Sequence, residues 1–309
     1  GRSDARAAVA GSMPEALPYR EHFITAEDGL RLYAREYGRE RPGSLPVICL
    51  PGLSRNCRDF HPLALHLSQD PELPRRVIAI DYRGRGGSEK DRDWTNYNAL
   101  TEARDVAGIL TGLGIEHAAF VGTSRGGIVT MMLSAIRQAA VAAVVLNDSG
   151  PVIEGAGIAR IRQQLRKMPR PRSFEEAAAL QRKANGGQFP ALSDEDWQRQ
   201  ARATYRDHKG RPVPDFDPRL LKTLDAIDFS IPLPTLWPQF VGLAGASLMV
   251  IHGEKSDVLS AQTVKGMKEL RPDMTVVSVQ GQGHPPLLET AGLPETISAF
   301  LSKVDRQRT

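Results

Sequence analysis

Six short apolar runs, the first four stopped by turn residues, constrain this chain more than anything else in it. They are Pro46–Leu50, Arg76–Ile80, Ala118–Val121, Val141–Leu146, Ser247–Ile251 and Thr275–Val279. The first ends at Pro51-Gly52, the second at Asp81, the third at Gly122 and the fourth at Asn147-Asp148. Unbroken Val, Ile and Leu over four to six residues suits strands covered on both faces, as in a parallel sheet. Helical periodicity separates the runs, over Asp59–Ser68, Ala99–Leu113, Gly126–Ala139, Gln262–Leu270 and Pro294–Val304. In the second of these Leu100, Ala103, Val106, Ala107 and Leu110 share one side. Alternating strand and helix predicts βαβ crossovers and an α/β fold, a mostly parallel central sheet flanked by helices. A β-hairpin is expected ahead of it, over Glu21–Tyr37 with its turn at Asp28-Gly29.

One interval breaks the alternation. Between Pro151 and Ala246 there is no strong strand run. Helical patterns cover Ile158–Lys167, Ser173–Ala184, Ser193–Tyr205 and Pro218–Leu224, with N-cap signals at Ser173 and Ser193. This predicts a helical cap over 151–246, above the carboxyl edge of a core built from 19–150 and 247–309. Residues 1–18 are expected to form a flexible N-terminal segment.

At 309 residues the chain is long enough to bury a core without staples, and its two cysteines exclude a disulfide framework and a four-cysteine zinc site. Cys49 reads as a core residue and Cys57 as a free thiol. No apolar run spans a membrane, and the N-terminus lacks the apolar segment of a secretory signal, so the expected location is cytoplasmic. The net charge of +4 is uneven: residues 160–222 hold 15 Lys and Arg against 8 Asp and Glu. Without zinc-finger spacing or a base-stacking pattern this predicts no nucleic-acid partner. It reads as a solvated helical surface, with a lid that attracts anionic substrates as the sharper alternative.

The chemistry centres on Gly122-Thr123-Ser124-Arg125-Gly126-Gly127. This G-x-S-x-G lies between a strand run and a helix, the context of a nucleophile elbow that lifts the serine hydroxyl above the sheet. A serine needs a base. Of seven histidines, His284, in Gly281-Gln-Gly-His284-Pro-Pro, follows the last strand on a glycine-rich loop at the same sheet edge. The base in turn needs an orienting acid. Asp257, in the turn after the fifth run, and Asp148, after the fourth, both qualify by position. Chain order and the turn favour Asp257. Backbone N–H groups of Leu53 and Arg125 are the expected oxyanion donors. The Arg125 side chain either binds a substrate carboxylate or pairs with a nearby acid, and Trp237 is a candidate for the pocket entrance or for packing.

Four segments carry a resemblance: Leu50-Pro-Gly-Leu53, Asp81-Tyr-Arg-Gly-Arg-Gly-Gly-Ser88, Gly122–Gly127, and Gly253–Asp257 with Gly283-His284. Together they make the sequence resemble the α/β-hydrolase superfamily, in particular serine-nucleophile members with a helical cap, from about Tyr19 to Leu301. Two positions depart from that pattern, Pro51 where many members have histidine and Arg125 where many have an apolar residue. The resemblance implies a Ser124–His284–Asp257 triad. It also implies cleavage of a small or medium carboxylic ester or lactone through an acyl-enzyme, with no metal or organic cofactor. Serine at the elbow excludes the aspartate-dependent dehalogenases and epoxide hydrolases. The alternatives are a C–C bond hydrolase of the meta-cleavage type and a non-catalytic small-molecule receptor on the same fold.

Overall fold

In the computed structural model, residues 16–309 are described; of the N-terminal segment expected over 1–18, residues 1–15 lie outside them. The hairpin forms as β1 (Arg20–Thr25) and β2 (Arg31–Tyr37), turning at Gly29 with a positive φ of 88°. The six apolar runs become β3 (Val47–Leu50), β4 (Val77–Asp81), β5 (Ala118–Thr123), β6 (Val141–Asn147), β9 (Ser247–Gly253) and β10 (Thr275–Val279). They join the hairpin in an eight-stranded sheet of order β1-β2-β4-β3-β5-β6-β9-β10. Pairing is antiparallel at β1/β2 and β2/β4 and parallel elsewhere.

Helices cover both faces, which is why the central runs carry no polar alternation. On one face lie α2 (Ala99–Gly112), α3 (Arg125–Ile136) and α9 (Ala261–Leu270), packing Val106, Ile109, Leu110, Val129, Leu133 and Met267 against the sheet. On the other lie α1 (His61–Ser68) and α10 (Leu293–Arg308), which contribute Leu63, Leu67, Ile297, Leu301 and Val304. Strand β3 is flanked by β4, which follows it in sequence, and by β5, reached only after the chain has crossed back. The connections therefore diverge at β3. A crevice opens above its carboxyl end, where open α/β sheets place their ligands.

The insertion between β6 and β9 holds α4 (Gly155–Arg166), α5 (Phe174–Asn185), α6 (Asp194–Thr204) and α7 (Leu221–Asp225). Ser193 and Asp196 close a capping box at the start of α6, and Ser173 caps α5. The insertion has its own small core, including Phe174, Phe189, Trp197 and Tyr205. Its two ends are stitched together where Leu236 N–H donates to Pro151 C=O at 2.7 Å.

Two features differ from the sequence reading. A second hairpin, β7 (Tyr205–His208) and β8 (Arg211–Pro214), follows α6. Its signal is Lys209-Gly210, both with positive φ, the two-residue turn that matches the twist of paired strands. The final stretch expected in the cap, by contrast, sits with the core. Helix α8 (Trp237–Val241) buries Phe240, followed by Leu243 and Ala246, in the same cluster as α3 and α9.

Candidate active site

The elbow is built by steric necessity. Ser124 has φ 52° and ψ −111°, outside the regions that a residue with a side chain adopts freely. The surroundings over-determine it. A Cβ on Gly122 would lie 2.5 Å from the Gly126 carbonyl group, and one on Gly126 would lie 2.0 Å from Leu50 C=O. Only glycine lets β5, β3 and the first turn of α3 approach this closely. The serine thus sits at the top of β5, at the N-terminus of a twelve-residue helix.

His284 Nε2 lies 2.9 Å from Ser124 Oγ, and His284 Nδ1 lies 2.5 Å from Asp148 Oδ2. The histidine loop is braced from both sides. Gln282 accepts from Leu287 N–H at 2.9 Å and donates to Thr290 at 2.7 Å, while Asn147 donates to Pro286 C=O at 3.0 Å. Asp148 is fully buried and turns the chain after β6 with a φ of 51°. Its Oδ1 accepts from Gly253 N–H at 2.8 Å, and its Oδ2 accepts from the Ser256 hydroxyl at 2.5 Å.

The acid beside His284 is therefore Asp148, a correction to the expectation of Asp257. The turn after β9 explains the exchange. It directs Ser256 inward to Asp148, so the next residue, Asp257, faces the insertion. There it pairs with Arg160 through Nε and Nη2, the latter at 2.9 Å, and accepts from Gln188 at 3.3 Å. Burial works to raise the Asp257 carboxyl, but Arg160 outweighs it and holds the group below the usual carboxylate range. Asp257 does not line the cavity.

Leu53 and Arg125 both line the cavity beside Ser124. Among the described residues no acceptor takes up either backbone N–H. The first N–H groups of a helix have no partner within it, which accounts for Arg125. The Leu53 loop is held from behind: Arg85 Nε donates to Leu53 C=O at 2.7 Å, and Tyr82 OH donates to Pro51 C=O at 2.9 Å.

The Arg125 guanidinium takes the structural option. It donates to Glu102 at 2.7 and 3.3 Å, and Arg85 donates to the same carboxylate at 3.0 Å. Glu102 is fully buried; burial pushes its carboxyl up, but Arg125 and Arg85 together bring it below its ordinary value. This pair of cations about one carboxylate ties the Leu53 loop to the elbow, and nothing in the spacing of the sequence signals it. Removing the carboxylate leaves the buried Arg85 and the half-buried Arg125 guanidinium groups without a counter-charge. Glu102→Ala is expected to lower the unfolding free energy by about 3–5 kcal/mol, read from urea denaturation. Because the folded value is depressed, this contribution is complete above the unfolded carboxyl's range. It is lost as pH falls through the folded value, so the gap between wild type and variant should narrow on acidification.

Trp237 does not line the pocket, which removes it as a substrate-binding candidate and leaves the packing alternative. Its indole packs edge-on against Phe240 at 6.1 Å and covers Gly266 of α9. Both cysteines are free and buried. Burial pushes the Cys57 thiol well up, so it offers no second nucleophile.

Above the serine, core loops and insertion together line an open-mouthed cavity of about 840 Å³. Its wall is largely aliphatic and aromatic, including Ile128, Ile158, Ile161, Phe189, Leu224 and Leu287. Among the described residues no cluster of His, Cys, Asp and Glu has the arrangement of a metal site. No helix there is long and apolar enough to cross a membrane.

The family model for alpha/beta hydrolases matches residues 47–293. This chain is a member of the alpha/beta hydrolase family. The matched region runs from β3, through the elbow, to the start of α10. A solved alpha/beta hydrolase from Novosphingobium aromaticivorans superposes with a TM-score of 0.85 at 34% identity, covering 94% of this chain and all of that one. Among characterised relatives, the 3-hydroxybutyrate-oligomer hydrolase of Cupriavidus necator is 29% identical, across 78% of this chain and 82% of the relative. The 2-(acetamidomethylene)succinate hydrolase of Mesorhizobium japonicum is 27% identical, across 85% and 90% respectively. Hydrolase activity is common to these relatives, while their substrates differ.

Proposed function

We propose that this alpha/beta hydrolase is a serine hydrolase of uncharged, medium-sized carboxylic esters or lactones, acting through an acyl-enzyme. The observation that carries the reading is the hydrogen-bonded row Ser124–His284–Asp148 at the floor of an apolar cavity. Ser124 Oγ attacks the substrate carbonyl carbon as its proton passes to His284 Nε2. Asp148 accepts the Nδ1–H bond, which fixes the tautomer and stabilises the imidazolium. The carbonyl oxygen becomes an oxyanion, held by the N–H groups of Leu53 and Arg125. Collapse breaks the carbon–oxygen bond, and His284 returns the proton to the departing alkoxide. Water then repeats the sequence: His284 takes its proton, its oxygen displaces Ser124, and the acid leaves.

The wall argues for an uncharged substrate. Six cationic side chains line the cavity, and five are matched by carboxylates: Arg55 by Asp59, Arg58 by Asp215, Arg125 by Glu102, Arg160 by Asp257, and Arg199 by Asp196 and Glu289. The sixth, Lys167, is exposed. A substrate carboxylate would have to break one of the five pairs or reach the exposed Lys167, whose charge water already solvates, while an aliphatic acyl chain gains burial without that cost. The insertion acts as a cap that shuts water from the acyl chain. The volume, near the upper end of ordinary ligand pockets, favours acyl chains beyond acetyl.

The test is a p-nitrophenyl ester series from acetate to decanoate. kcat/KM should rise from acetate to a maximum at a medium chain. A hemisuccinate ester should be hydrolysed at least about tenfold less efficiently than the butyrate ester of the same alcohol, the difference expected when one buried charge goes unpaired. Preference for the charged ester would overturn the substrate class. No turnover of any ester, nor of a matching series of medium-ring lactones, would overturn the reading itself.

A further inference from the structure

We infer that the loop from Gly253 to Ser260 couples the cap to the reaction centre: Ser256 positions Asp148, and the Asp257–Arg160 pair positions the loop. This rests on the Ser124–His284–Asp148 reading above and concerns two residues that the reading leaves without a role.

Hydrogen-bond direction makes the case for Ser256. Its oxygen accepts from Val258 N–H at 3.2 Å and Leu259 N–H at 3.1 Å. With its lone pairs so engaged, the hydroxyl hydrogen points to Asp148 Oδ2, 2.5 Å away. That is the same oxygen that receives His284 Nδ1. An ionised carboxylate is acceptor-only, so the proton between Asp148 and His284 stays on the imidazole. Nε2 is then left as the acceptor for the serine proton. Gly253 N–H on Oδ1 fixes the remaining rotation of the carboxylate. Among the described residues, every donor to Asp148 apart from His284 thus comes from this one loop.

The same loop is gripped from above. Glu154 N–H, at the start of α4, donates to Val258 C=O at 2.9 Å. Gly157 lets α4 lie so close that a Cβ there would stand 2.3 Å from Asp257 C=O. One turn on, Arg160 of α4 holds the Asp257 carboxylate, and Gln188 beyond α5 reaches it as well. A displacement of α4 therefore pulls on the segment that carries Ser256. A site in which the cap and the acid share one loop has its base oriented only while the cap is seated.

The test uses the full chain and the best p-nitrophenyl ester. Ser256→Ala should lower kcat about tenfold with KM within about twofold, because the bond it supports matters most once the imidazolium forms. Ser256→Thr keeps the hydroxyl and should restore kcat to within about threefold of wild type. The far-downfield proton resonance of His284 Nδ1 should move in the alanine variant and return in the threonine variant. Asp257→Asn should lower kcat about threefold and displace the same resonance, whereas Asp273→Asn, which breaks an ion pair with Arg271 outside the insertion, should do neither. An alanine variant with unchanged kcat and resonance would overturn the role of Ser256, as would a threonine variant no better than alanine. Should Ser256→Ala fail to fold, Ser256→Cys is the substitute, since its thiol fills the space and donates weakly. If Asp257→Asn changes neither readout, the cap is not coupled. Failure of the underlying triad is separate: it would appear as turnover surviving Ser124→Ala.

Discussion

Asp148→Asn is expected to reduce kcat about ten-thousand-fold, the scale seen when a triad acid becomes an amide and the histidine adopts the wrong tautomer. Asp257→Asn should cost less than tenfold in the same assay. The contrast separates the two candidate acids without ambiguity, because both are aspartates after sheet strands and both face the same edge. Asparagine at 148 preserves volume and can still reach Gly253 N–H, so the fold should persist. What it loses is the charge opposite the imidazolium. If the two variants ranked in the opposite order, Asp257 would be the functional acid and the hydrogen bonds at Asp148 merely structural.

The larger effect is expected at the nucleophile. Ser124→Ala should lower kcat about a million-fold, and His284→Ala should do about the same. A double variant should be scarcely worse than either alone, because the two side chains act as one unit. The residual rate over water would come from the Leu53 and Arg125 N–H groups and from binding. Alanine at 124 inherits the same strained backbone and removes only the hydroxyl oxygen, so circular dichroism and the urea midpoint should change little.

The central sheet was readable because each of its buried strands is a short apolar run bounded by residues that cannot continue it. The elbow was readable for a related reason: glycines at 122 and 126 are required by contacts of 2.5 and 2.0 Å, so the motif and its geometry are one constraint. His284 followed from its loop. The choice between Asp148 and Asp257 was not readable, since it depends on which side chain of a tight turn points inward, and a shift of one residue exchanges Ser256 for Asp257. The partner of Arg125 was equally hidden, because Glu102 lies 23 residues away on another helix and meets it only through packing. For Trp237 the sequence leaves pocket entrance and packing open, and contacts with Phe240 and Gly266 decide for packing between α8 and α9. The hairpin β7–β8 is hard to read from the sequence because both strands are four residues long, β7 is mostly polar and β8 carries two prolines, which leaves Lys209-Gly210 as its signal.

The most direct test of the account is mass spectrometry of the protein after brief treatment with an uncharged alkyl fluorophosphonate, which reacts only with an activated serine. The account predicts one adduct per chain, on the peptide that contains Ser124. It should be absent from Ser124→Ala, strongly slowed in Asp148→Asn and slowed only about threefold in Asp257→Asn. An adduct on any other residue, or an intact protein that remains unmodified, would contradict it.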